Sequence, residues 1–420
     1  MSNISALKKD MESCSRCSHC KWVPMAQIKS SRFAKICPSV DYYHFHAYSG
    51  GGKMIATNSI LEGRSELTDN VAEIIYKCQL CGGCQVSCLA YRDDIDLADV
   101  LLESRSKCVD EAYVLPEHLD VIESMKREDN TLGMLKKDRG NWAEDLDVPN
   151  INTGKVDVLF HAGCRYSYDE DLHRVAVNWV NLFKNAGIDI GIAGKDEACC
   201  GGRAFEIGYQ GEMKNFADDM IGRVKASGAK LIITPCSDCY YTFKYLYPKN
   251  GLDAGIEVLH ATEYAALLMK EGKLKPRKNV DMKVTYHDPC HLGRRGEIYR
   301  SGWTGDDKLL RPVRFKQSGM LGIFDPPRDI INSIPGIDFV EMERIREYSW
   351  CCGAGGGVYE AYPEFASWTA NERIEEAKKT GAEAIVTACP WCERIFNDEI
   401  EANAHDIKVY DVVDLLFMSF

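Results

Sequence analysis

The chain has 420 residues, 45% apolar and 27% charged, with 51 Lys and Arg against 63 Asp and Glu for a formal net charge of −12. That is the composition of a globular protein of roughly two or three domains, and it excludes a disulfide-stapled miniprotein. The acidic balance and the lack of any nucleic-acid-binding motif argue against DNA or RNA as a partner, and they predict a basic face on a docking protein.

No apolar run reaches the ~20 residues of a membrane helix. The longest, Tyr410 to Phe420, is broken by Asp411, Asp414 and Ser419. The N-terminal MSNISALKKDMESC has no apolar signal core, so a cytoplasmic location is expected. The nineteen cysteines are then expected as thiolates rather than disulfides.

Those cysteines are clustered. Cys14, Cys17 and Cys20 stand at successive two-residue spacings, with Cys37-Pro38 beyond them, and Cys78, Cys81, Cys84 and Cys88 form a CxxCxxCxxxC run like that of a bacterial ferredoxin. Three thiolates on one tight loop can hold three irons of a cubane, and in two-cluster ferredoxins the fourth cysteine comes from the other motif. The resemblance implies a crossed pairing, Cys14, Cys17, Cys20 and Cys88 on one 4Fe-4S cubane and Cys78, Cys81, Cys84 and Cys37 on the other. Zinc is the competing occupant, but it usually takes two CxxC pairs, so the triplets favour iron. Two departures from the ferredoxin run are visible: sixteen residues separate Cys20 from Cys37, and Leu89 instead of Pro follows Cys88.

From about Val156 the chain alternates strand-like and helix-like stretches. Val156 to Phe160 and Lys230 to Thr234 read as buried parallel strands, and Tyr209 to Lys225 as an amphipathic helix. The segment repeats: Gly228 to Cys239 matches Gly381 to Cys392, and Val156 to Cys164 matches Met282 to Cys290 with His161 and His287 in register. Two related α/β halves are expected. Each has one cysteine, then an adjacent pair followed by Gly, then a CxxC. These are Cys164, Cys199-Cys200-Gly201 and Cys236/Cys239 in the first half, and Cys290, Cys351-Cys352-Gly353 and Cys389/Cys392 in the second.

Here the sequence resembles the cysteine-rich CCG-domain family, whose best-known members are the catalytic subunits of heterodisulfide reductases. The resemblance covers essentially the whole chain, and implies that each five-cysteine set binds a non-cubane 4Fe-4S cluster, with zinc in the first set as the main competitor. Two sets of four and two of five account for eighteen cysteines and leave Cys108, read as an inert buried thiol. The expected organisation is a mostly helical ferredoxin-like domain over 1–110, a linker over 111–152, and CCG domains over 153–275 and 276–420, the second with an insertion near 301–325. Gly353 to Gly357 superficially suggests a nucleotide loop, but it follows a cysteine pair instead of a strand.

His291, Arg294 and Arg295 lie beside Cys290 and are the candidate catalytic residues: the imidazole as proton donor when a disulfide opens, the guanidiniums as holders of an anionic thiol. Arg165 and Arg203 are similar candidates. His161 and His287 end predicted strands, where a hydrogen bond to backbone is the simpler role, and Trp22 and Trp391 are expected to shield clusters from water. With no flavin, nicotinamide or haem signature, the chain reads as an oxidoreductase subunit. It would pass electrons through the cubanes to the CCG clusters and reduce or oxidise a disulfide or thiol. The alternative is an electron-transfer subunit of a larger bacterial complex, like that of class II benzoyl-coenzyme A reductases or flavoprotein-linked quinone systems, with no small substrate of its own. Either reading needs partner subunits, a flavoprotein, a ferredoxin or a membrane cytochrome that could hold the chain at a membrane.

Overall fold

The computed structural model describes residues 2–92, 94–252, 255–297, 299 and 318–420. Most of the insertion expected near 301–325 therefore lies outside the described residues.

The N-terminal third is built of helices. Ser49, Thr68 and Asp96 cap Gly50–Leu61, Asp69–Tyr76 and Leu97–Asp110 by accepting the orphan N–H groups of their first turns. Gly50–Leu61 packs on Leu97–Asp110, and buried Thr57 and Ser104 pair their hydroxyls at 2.9 Å. A further helix, Pro116–Glu128, leads into two short turns that carry Arg139 and Trp142 into the protein interior.

Two parallel four-stranded sheets follow. The first holds β1 (Val158–Phe160), β2 (Ile190–Ile192), β3 (Leu231–Thr234) and β4 (Glu257–His260), in the order β2-β1-β3-β4. The second holds β5 (Met282–Tyr286), β6 (Ile337–Phe339), β7 (Ala384–Thr387) and β8 (Lys408–Asp411), in the order β6-β5-β7-β8. The central strands β1, β3 and β7 are largely apolar, as strands covered on both faces must be. Phe160 pairs with Ile192 and Ile233, and Tyr286 with Val386. The helix read over Tyr209 to Lys225 is Gln210–Ser227, ended by Gly228 in the left-handed region.

The repeat extends to the caps. β4 ends on His260, which caps Ala261–Lys270 in a reciprocal box with Glu263, and β8 ends on Asp411, which caps Val412–Met418 in the same way with Asp414. These last helices are exchanged between the halves. Ala261–Lys270 packs on Asp325–Ser333 of the second half, and Val412–Met418 packs on His173–Asn185 of the first. Each half thus covers part of the other's apolar surface, and the cysteine loops of both gather at the carboxyl ends of their strands, the edge where open α/β sheets hold ligands.

Candidate metal centres

Cys14, Cys17, Cys20 and Cys88 line one cavity, and Cys37, Cys78, Cys81 and Cys84 line another. Cys88 therefore lies with the first triplet, and Cys37 with the second. Gly50 and Gly51 stand between the two groups: a Cβ on Gly50 would come within 2.9 Å of Cys84 Sγ, and one on Gly51 within 3.4 Å of Cys20 Sγ. The Gly51 N–H donates to Cys20 Sγ at 3.4 Å. Burial pushes the Cys37 and Cys88 thiols up to about 12. Without a cation to hold them as thiolates, such sulfurs have no reason to be gathered in one cavity, whereas a metal deprotonates them outright. The donor set fits iron–sulfur clusters.

The five cysteines of each half converge too. In the first, Cys164 Sγ lies 3.7 Å from Cys199 Sγ, Cys200 touches Cys199 and Cys239, and Cys239 touches Cys236. Gly163, at φ +78°, leaves room where a Cβ would stand 3.0 Å from Cys239 Sγ. In the second, Cys351 touches Cys290 and Cys352, and Cys392 touches Cys352 and Cys389. In both halves the Gly after the cysteine pair donates its N–H to the first sulfur of that pair, Gly201 to Cys199 at 3.5 Å and Gly353 to Cys351 at 3.3 Å. Cys351 also touches Cys81, so the second four-cysteine group abuts the second five-cysteine group directly.

The histidines that match in sequence have unlike neighbours. His161 Nδ1 is 3.6 Å from Glu197 Oε2, and Glu197 also accepts from the Ala162 and Gly163 N–H groups and from Arg139. Arg139 is fully buried, with Nη2 3.7 Å from Cys164 Sγ. His287 Nδ1 instead accepts from Arg373 Nε at 3.1 Å, and a ring nitrogen of His287 and the sulfurs of Cys352 and Cys392 lie within 4.8 Å of one another. Burial lowers both histidines, keeping them neutral. Arg373 thereby leaves the ring proton of His287 on Nε2, towards Cys352, whereas the carboxylate of Glu197 lies beside Nδ1 of His161. Neither ring makes the backbone hydrogen bond expected from its place at a strand end.

His291 reaches across the halves. Its Nδ1 is 2.6 Å from Asp238 Oδ1, and its Nε2 is 2.8 Å from Glu206 Oε1 in a bent ion pair, both carboxylates belonging to the first half. Burial works against its charge, yet Glu206 and Asp238 hold it well above the usual histidine range. Arg294 and Arg295 are turned towards the second four-cysteine loop: Arg294 Nε donates to the Cys81 carbonyl at 2.6 Å, and Arg295 Nη1 to the Leu80 carbonyl at 3.2 Å. Arg165 and Arg203 lie over the ring of buried Trp391 at 4.3 and 4.6 Å. Trp22 is more open to solvent than Trp391, at 43% exposed. Cys108 is fully buried among Leu67, Ala72, Ile75 and Tyr76. The glycines after Cys352 serve close packing, since a Cβ on Gly355 would lie 2.6 Å from the Gln79 carbonyl. Sequence reasoning passed over Arg105, which donates to the carbonyls of Tyr76, Cys78, Glu206 and Gly356 and so ties the helical region to both halves.

Comparison with known proteins bears directly on this cysteine framework. A cysteine-rich domain model, CCG, matches residues 158–244 and 284–397, and a 4Fe-4S dicluster domain model matches 10–90. The chain belongs to the CCG-domain iron–sulfur proteins. A subunit of the dihydromethanophenazine:CoB–CoM heterodisulfide reductase of Methanosarcina acetivorans is 29% identical over 99% of this chain and 95% of its own. The probable iron-sulfur-binding oxidoreductase FadF of Bacillus subtilis is 30% identical over 96% of this chain and 53% of its own. The EtfAB:quinone oxidoreductase of Syntrophomonas wolfei is 29% identical over 82% of this chain and 46% of its own. A hypothetical protein from Helicobacter pylori shares the fold, with a TM-score of 0.58 at 11% identity over 88% of this chain and 67% of its own. This CCG protein is an iron–sulfur oxidoreductase subunit that works by electron transfer. Among the described residues no helix is long and apolar enough to cross a membrane.

Proposed function

We propose that this CCG protein carries electrons from a partner subunit to a disulfide, or back from thiols, in the manner of a heterodisulfide reductase. Cys14, Cys17, Cys20 and Cys88 would hold one 4Fe-4S cubane and Cys37, Cys78, Cys81 and Cys84 a second. Cys164, Cys199, Cys200, Cys236 and Cys239 would hold a non-cubane cluster, and Cys290, Cys351, Cys352, Cys389 and Cys392 another. Bound there, the clusters supply one-electron chemistry at potentials set by the hydrogen bonds around them. The observation that carries the reading is the contact of Cys81 with Cys351, which joins a cubane site to a CCG site without intervening residues.

Opening a disulfide takes two electrons and two protons and releases two thiols. Two CCG sites facing each other provide for the two sulfurs, and Ser237 Oγ, which donates to the Ala388 carbonyl at 2.7 Å, locks the two CxxC loops together. His291 would hold a proton between Glu206 and Asp238 at the seam. Arg294 and Arg295 act as positioning residues that fix the Cys78–Cys84 loop against the second half. The expected division is 1–110, 111–152, 153–275 and 276–420. The setting is cytoplasmic, in a complex with a flavoprotein, ferredoxin or membrane-cytochrome subunit.

Anaerobically purified protein should contain about sixteen irons, from four clusters of four. Eight irons with stoichiometric zinc would overturn the two-non-cubane reading. A thiol substrate added to the oxidised protein should produce a new paramagnetic signal that Cys290→Ser abolishes. Partner turnover with no such signal would favour the pure electron-transfer role instead.

A further inference from the structure

Between Glu12 and Asp41 the sequence has no acidic residue but five basic ones, Arg16, Lys21, Lys29, Arg32 and Lys35, in a chain whose net charge is −12. This is the loop that carries Cys14, Cys17 and Cys20. Lys29 donates to the Met342 carbonyl, Arg32 pairs with Glu372, and Lys35 pairs with Asp41. Arg16 and Lys21 pair with no carboxylate among the described residues.

Beside them lies an exposed apolar patch. Met25 is 80% exposed, and Trp22 and Tyr91 stand out around it. Tyr91 stacks on His19 at 3.7 Å and accepts the Met25 N–H at 3.5 Å, which holds the patch together around the exposed Cys17. Exposed apolar side chains are ordinary singly but not in a group. Aromatic residues, Met and Arg are also the side chains that mark the centres of protein interfaces.

We propose that this face docks an acidic redox protein, which exchanges single electrons with the chain through the four-cysteine site of Cys14, Cys17, Cys20 and Cys88. The inference rests on the proposed role of this site in electron transfer. The partner gives up one electron and the site accepts it; no bond breaks and no proton moves. Arg16 and Lys21, with no carboxylate partner among the described residues of an otherwise acidic chain, would draw an acidic partner to this patch. The basic partner expected from net charge alone is thereby reversed at the place where it matters.

The test uses the holoprotein and a reduced, acidic two-cluster ferredoxin as donor, with bleaching of the chain's iron–sulfur absorbance followed by stopped flow. At low ionic strength the second-order rate should be fast, and it should fall by about tenfold or more both on adding salt and in the Arg16→Glu/Lys21→Glu double variant. Reduction by methyl viologen, a small dication, should not slow in that variant, and Lys275→Glu should leave the ferredoxin rate unchanged. Because Arg16 adjoins Cys17, iron content is measured alongside. Met25→Glu, which adds a negative charge to the patch, should slow the ferredoxin reaction with iron intact. Wild-type rates and an unchanged salt response in Met25→Glu and in the double variant would overturn the docking face. Failure of methyl viologen to reduce the wild-type chain would overturn the electron-transfer reading of the site instead.

Discussion

The two CCG halves share a strand order, a cap after the last strand, and an N–H···S contact from the Gly that follows each cysteine pair, yet they surround equivalent histidines with opposite charges. Glu197 faces His161, and Arg373 faces His287. The second half turns the protonated nitrogen of its histidine towards Cys352, and the first sets a carboxylate beside its own. The second half touches a four-cysteine group through Cys351 and Cys81. A duplicated framework has thus been given two electrostatic settings: an arginine stands by the histidine of the half that abuts a four-cysteine site, and a carboxylate by the other.

The sharpest way to break this comparison is at Cys351. Cys351→Ser should remove about a quarter of the iron and stop dithionite-driven reduction of both CCG sites, whereas Cys199→Ser should remove as much iron but leave the second half reducible. Equal effects in a spectroscopic redox titration would mean that the halves are filled independently. Next in size is the Arg139–Glu197 pair, fully enclosed in the first half. Glu197→Ala strands a buried guanidinium and two backbone N–H groups, so unfolding should become easier by about 3–5 kcal/mol in denaturant melts, with the second half's signal retained. Arg373→Lys keeps the charge beside Glu376 but weakens the donor to His287. It should lower the potential of the second-half signal by an amount on the order of tens of mV, the worth of one hydrogen bond, without moving the first. Smallest is Tyr166→Phe, which deletes the 3.1 Å bond from the first half to Asp411 of the second and should cost about 1 kcal/mol in thermal stability.

What sequence could carry here followed from spacing. Cysteine motifs are local, the strands β1 and β3 are short apolar runs bounded by turns, and two segments of the repeat align without a gap, so the layered fold and the cysteine groups were legible. The polar residues around the sulfurs were not, because each works through one long-range contact. Arg139 lies in a stretch read as linker, yet it meets Cys164 and Glu197. Arg105 left a trace: it shares a helix face with buried Leu101, Leu102 and Cys108, where a charge is out of pattern and must find partners inside. Net charge is silent on placement for a related reason: a total of −12 averages over the molecule, whereas the stretch between Glu12 and Asp41 holds five basic residues and no acidic one.

Gly50 and Gly51 have a consequence for kinetics. Consecutive Cα atoms are about 3.8 Å apart, so the wall between the two four-cysteine cavities is scarcely thicker than the backbone itself. Electron tunnelling weakens steeply with distance, and across so thin a wall it outpaces chemical turnover by a wide margin. Exchange between the two four-cysteine sites is then not expected to be the slow step. Steady-state flux should respond to the concentration of the docking partner or of the sulfur substrate, and a side chain at Gly50, which would crowd Cys84 Sγ at 2.9 Å, should slow the exchange between the two sites.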